Sequence, residues 1–179
     1  PEIHCEEELV RYLGKMLQPF VDRGIPWCHV NGNHDYDAQV PMDRQLEIYK
    51  SISGCMTESV PGIPGTTNFM LPVYSSDGEK VVSAVWGLDA GHSIDEIREG
   101  LTGEALIDGL PLPASIWNII RFEQQMWYWN QSADLERRSG AKVPGVMAFH
   151  VAPWEFDYMR RYEKALGVGG NTTGEYGLG

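Results

Sequence analysis

The sequence is short of cysteine, of positive charge and of long apolar runs, and each shortage closes off a class of protein. Three cysteines in 179 residues, Cys5, Cys28 and Cys55, are an odd number with no close pair. They form neither a disulfide framework nor a zinc-ribbon spacing. Only 14 basic residues stand against 25 acidic ones, a formal net charge of −11. Nucleic acid and acidic membrane surfaces need a basic footprint, so neither is expected as a general partner. No stretch approaches the roughly 18 continuous apolar residues of a membrane-spanning helix. The Gly-x-Ser-x-Gly elbow of serine hydrolases is missing too, and Cys28 falls in an apolar run where a thiol is usually inert. No internal repeat occurs. What remains, 42% hydrophobic and 11% aromatic, is enough apolar mass for one domain's core.

Periodicity gives an alternation of helices and strands. Leu9, Leu13, Met16, Leu17 and Phe20 recur at three- and four-residue spacing, so residues 5–22 read as an amphipathic helix. The run Ile25 to Asn31 reads as a buried strand. Met42 to Ser53 reads as a helix with Pro41 at its first position, and Thr57 to Thr67, rich in Pro and Gly, as a loop. Asn68 to Tyr74 and Lys80 to Leu88 flank Ser75-Ser76-Asp77-Gly78, a hairpin signal that implies a mixed sheet. Gly100 to Ser115 is a long irregular segment, read as mobile. The run Trp127-Tyr128-Trp129 belongs to core packing with one exposed edge, because consecutive helical residues point in different directions and cannot form one flat stack. Lys142 to Phe149 reads as a second buried strand and Glu155 to Ala165 as a last helix. Arg160 and Arg161 near its end suit a solvated helix terminus better than a phosphate clamp.

Two strand ends carry the chemistry. Gly32-Asn33-His34-Asp35 follows the first apolar run, and a loop past the carboxyl end of a strand is where open α/β sheets bind ligands. An Asn carboxamide oxygen is a neutral hard ligand for a cation, an imidazole carries a proton, and an Asp can orient it. The glycine permits a sharp turn that would bring the three side chains to one point. A plain turn is the competing reading, since Asn, Gly and Asp are common turn residues. The second strand runs straight into His150-Val151-Ala152-Pro153-Trp154-Glu155-Phe156, and His150 stands 116 residues beyond His34. That separation suits ligands gathered by a fold.

Gly32-Asn33-His34-Asp35 resembles the GNH(D/E) motif of the calcineurin-like metallophosphoesterases. The stretch from His150 to Phe156 resembles the FFH-x-P-x-x-E-F segment of their purple acid phosphatase-like branch, and Trp117 to Lys142 resembles the helix that precedes it. The resemblance implies an α/β sandwich of mixed β-sheets flanked by helices. It implies two divalent or trivalent metal ions, iron paired with zinc, manganese or a second iron, and hydrolysis of a phosphate ester. Asn33 and His150 would be ligands of one metal and His34 the proton donor to the leaving oxygen, with Asp35 in support. Gly87 to His92 resembles a stretch reading LDSG at the active-site rim, where His92 would reach substrate; a surface histidine is the simpler reading.

The family's Asp-x-His and Gly-Asp motifs, the latter supplying the carboxylate that bridges the metals, are not in this sequence. Nor is the closing Gly-His-x-His, since Gly91-His92-Ser93 has one histidine and precedes His150. The expectation is therefore that residues 1–179 are an internal part of one metallophosphoesterase domain, incomplete at both ends and inactive alone. A non-catalytic relative that keeps the fold as a binding or scaffold protein is the alternative. Substrate, localisation and oligomeric state are left open by the sequence. Asn130-Gln131-Ser132 and Asn171-Thr172-Thr173 are glycosylation acceptors only if the protein enters a secretory route.

Overall fold

The computed structural model describes residues 3–92 and 119–151, and the backbone of the short strands 106–107 and 110–111. The expected last helix, Arg160, Arg161, Pro153, Glu155, Phe156 and the acceptor at Asn171 lie outside the described residues, as does most of 100–115.

Helix α1 spans Glu6–Val21. Glu6, Glu7 and Glu8 fill its first turn, where negative charge complements the helix dipole. Leu9, Leu13 and Leu17, four residues apart, are the buried stripe. They pack with Trp27, Val40, Ile48 and Tyr49 into one apolar cluster. Helix α2, Met42–Ser51, supplies Ile48 and Tyr49. Pro41 is its N-cap rather than its first helical residue, with φ −54° and ψ 145°.

Residues 25–31 do not form the expected buried strand. A single parallel bridge joins Trp27 to Cys55, while Ile25 and Cys28 are exposed. Alternate residues bond to a loop instead of to a strand. Trp27 N–H donates to the Gly54 carbonyl at 2.9 Å, His29 N–H to Thr57 Oγ1 at 2.7 Å, and Asn31 N–H to Thr67 Oγ1 at 2.8 Å. Side-chain hydroxyls thus satisfy an extended backbone that, among the described residues, has no ladder beside it. The Cys28 thiol, although its residue is exposed, is pushed above the usual cysteine pKa by desolvation and by Cys55 nearby.

Strands β1, Phe69–Tyr74, and β2, Val81–Gly87, pair antiparallel with Phe69 opposite Gly87. The connection at Ser75–Lys80 turns at Gly78, whose φ of +77° favours glycine. Strands β3, Leu106–Ile107, and β4, Leu110–Pro111, form a separate two-stranded pair. Helix α3 spans Phe122–Ser139 and ends at Gly140, left-handed at φ +70°. It leads to β5, Gly145–Ala148, which pairs parallel with β2.

The sheet order β1-β2-β5 is mixed, as the hairpin signal implied. Among the described residues β5 is an edge strand, and three of its four residues are exposed, so the expected burial of this strand is not found there. Trp127 and Tyr128 of α3 meet Trp86 edge-on at 5.8 and 4.9 Å, whereas Trp129 is 68% exposed. Ala84, Trp86 and Leu135 centre this second cluster.

Candidate metal centre

The motif loop winds into one short 3-10 helix, Asn33–Asp37. Asp35 stands three residues after Gly32 and reaches back, its Oδ2 accepting the Gly32 N–H at 2.7 Å. This is the carboxylate half of a capping box. Gly32 itself is extended, φ −94° and ψ 174°, so it makes no unusual turn. Its lack of a side chain serves a close approach instead. A Cβ at Gly32 would lie 2.9 Å from the His150 ring.

That approach brings the sequence's two candidate ligands together. His150 Nε2 lies 2.9 Å from Asn33 Oδ1, across 117 residues of chain. Asn33 is 5% exposed. An amide oxygen accepts, so Nε2 carries the proton of this hydrogen bond.

The other motif side chains diverge, and the single convergence point expected from the sequence is not formed. His34 has a side chain 79% exposed and turns to Asp37, with Nδ1 2.6 Å from Oδ2. Asp35 faces inward, where His29 Nε2 lies 3.5 Å from its Oδ1, an electrostatic contact longer than a good hydrogen bond. The His34 imidazole is thus paired with Asp37 rather than with Asp35. Burial pushes the Asp35 carboxyl up, but His29, the Gly32 N–H and the charge of His150 outweigh it and hold its pKa below the usual carboxylate range. His92 Nε2 sits 3.1 Å from Asp37 Oδ1, beside His34 rather than beside Asn33 and His150. Its ring lies nearly parallel to Tyr36 at 6.0 Å.

Asp89, which sequence reasoning passed over, anchors the loop. It is fully buried. Asn31 Nδ2 donates to its Oδ2 at 3.0 Å, Tyr36 OH to both oxygens at 3.1 Å, and the Thr66 and Gly91 N–H groups at 2.8 and 2.9 Å. Asn68 and Gln124 extend the network. Gln124 Nε2 donates to the Asp89 carbonyl at 2.7 Å and to Asn68 Oδ1 at 2.8 Å. Asn68 Oδ1 also accepts the Asp89 N–H at 3.2 Å. The available signal was an acid in an otherwise apolar run, Trp86-Gly87-Leu88-Asp89-Ala90, since a buried carboxylate must be hydrogen-bonded.

An amide oxygen and an imidazole nitrogen at hydrogen-bonding distance are donors suited to zinc, iron or manganese. Two further buried polar atoms near the motif, Asn31 Oδ1 and His29 Nε2, have no hydrogen-bond partner among the described residues. Among those residues no group of three or more His, Cys, Asp or Glu is arranged to hold a metal ion. The described residues thus supply an amide oxygen and an imidazole nitrogen side by side, and these two do not by themselves make up a metal site.

Fold and site define a mixed α/β protein in which a helical loop and a strand end bring an Asn–His pair together. No family model matches the chain, and no solved structure matches it. Among curated proteins it is similar to "Probable inactive purple acid phosphatase 14" of Arabidopsis thaliana, 20% identical over 182 residues and 92% of this chain. The chain spans 42% of that relative's length. The similarity is a distant one to a purple acid phosphatase-like protein, and the relative's name describes it as inactive.

Proposed function

We propose that the complete protein hydrolyses a phosphate ester at a two-metal site, in which Asn33 and His150 are ligands of one ion and His34 is the proton donor. The observation that carries this reading is the 2.9 Å approach of Asn33 Oδ1 to His150 Nε2 across 117 residues. In this reading the three-stranded sheet is part of a larger two-sheet sandwich, and the remaining ligands, including a bridging carboxylate, come from beyond the described residues. When bound, the cations supply Lewis-acid polarisation of the phosphoryl group and an acidified water. Iron, zinc and manganese all suit the donor types. As the bond from phosphorus to the ester oxygen breaks, its electron pair stays on the leaving oxygen, which takes a proton from His34, while a hydroxide, formed from water that has released a proton to solvent, makes the new bond to phosphorus.

A second reading has two observations in its favour: no group of three or more His, Cys, Asp or Glu among the described residues is arranged to hold a metal ion, and the similar Arabidopsis protein is named inactive. It is a non-catalytic relative that keeps the fold as a binding or scaffold protein.

Metal content and hydrolysis of p-nitrophenyl phosphate by the complete protein separate the two. Phosphoester hydrolysis requires that Asn33→Ala and His150→Ala each lose bound metal and about 100-fold or more in turnover while circular dichroism is unchanged. Unchanged turnover in both variants refutes the ligand assignment. A wild-type protein with neither metal nor turnover selects the non-catalytic reading. Residues 1–179 alone are expected to be inactive; metal-dependent turnover by that segment would show that the site needs nothing further.

A further inference from the structure

We infer that Asp37 is a positioning residue for His34, holding the imidazole by Nδ1 so that Nε2 is the nitrogen presented to substrate; this rests on reading His34 as the proton donor. In a 3-10 helix the side chains at i and i+3 eclipse one another, which places Asp37 directly against His34. The contact is short, Nδ1 to Oδ2 2.6 Å. An ionised carboxylate only accepts, so the proton between them sits on Nδ1. The second carboxylate oxygen faces His92 Nε2 at 3.1 Å.

The carboxylate is thus engaged at both oxygens. Its surroundings are fixed in turn, for the His92 ring lies against Tyr36 with an interplanar angle of 12°. Tyr36 is tied through its hydroxyl to both oxygens of buried Asp89. Asp35, nearer in sequence, is already engaged by the Gly32 N–H. A chain of contacts therefore runs from a buried anchor to an exposed imidazole, and the histidine keeps its side chain accessible to substrate.

The test uses the complete protein with 15N-labelled imidazoles and reads tautomers from long-range proton–nitrogen spectra on the alkaline side of histidine titration. The His34 signals are assigned by their loss in His34→Gln. Wild type is expected to show the Nδ1–H tautomer. Asp37→Ala is expected to shift it to a mixture, and Asp37→Asn, which keeps an accepting oxygen, to restore part of the preference. In turnover, Asp37→Ala is expected to lower kcat for an alkyl phosphate about 10-fold with KM within about twofold. It should leave p-nitrophenyl phosphate nearly unaffected, because a nitrophenolate leaves without a proton. An unchanged His34 tautomer in Asp37→Ala overturns the inference, whatever the protein hydrolyses. A tautomer shift in a protein without turnover upholds the Asp37 contact and overturns the proton-donor reading of His34 alone.

Discussion

Gly32 has no side chain because the His150 ring occupies the space where one would be, with a Cβ only 2.9 Å from the imidazole. Gly32→Ala should push the ring away from Asn33 and destabilise the fold by about 1–3 kcal/mol, the usual cost of overpacking. Urea denaturation gives the stability, and the histidine spectrum shows whether the His150 contact has gone. Asp35 sets a pH limit of its own. Its pKa is lower in the folded state than the usual carboxylate value, so its contribution is present above the unfolded value, about 3.9. That contribution is lost as pH falls through the folded value. Denaturation midpoints of wild type and Asp35→Asn should differ at neutral pH and converge in acid, below the ordinary carboxylate range. A constant difference across that range would show that the charge of Asp35 is not the source of the effect.

At the scale of elements, those with a strong repeat of their own were legible in the residues. The four-residue spacing of Leu9, Leu13 and Leu17 gave α1, and the run around Asp77-Gly78 gave the β1-β2 hairpin. Leu13→Ala should cost about 2–5 kcal/mol by leaving a cavity in the cluster around Trp27 and Tyr49. Exposed Met16, on the same helix, should tolerate the same change within about 0.5 kcal/mol. Thermal melts of the two variants make the comparison, and equal losses would mean that the α1 stripe is not the buried face. Residues 25–31 and β5 were less legible. Apolar composition predicts burial, but burial of a strand depends on its neighbours, and here one segment has a loop beside it while the other is a sheet edge. The site shows the same division. Asn33, His34 and His150 were read from local motifs, whereas Asp89 and the Asp37 contact depend on which side chains the fold brings near.

Across the molecule, two apolar clusters are joined by a polar seam of Asn31, Thr67, Asn68, Asp89 and Gln124, all nearly inaccessible to water. The motif loop is tied to the seam through Asn31 and Tyr36. Asp89→Asn places an amide N–H among groups that all donate, and should cost about 3 kcal/mol by leaving buried donors unmatched. If the seam couples the clusters, tryptophan fluorescence and far-ultraviolet circular dichroism will still report one transition in wild type and will separate in the variant. Coincident transitions at an unshifted midpoint would show that the seam is not a structural coupling. The order of helices and hairpin, the mixed sheet and the choice of Asn33 and His150 as candidate donors were determined by the sequence itself, because helical period, turn chemistry and donor type are properties of neighbouring residues. The approach of His150 to Asn33, the need for Gly32 and the burial of Asp89 were decided only by tertiary structure, because each is a contact between residues far apart in the chain whose distance no local pattern encodes.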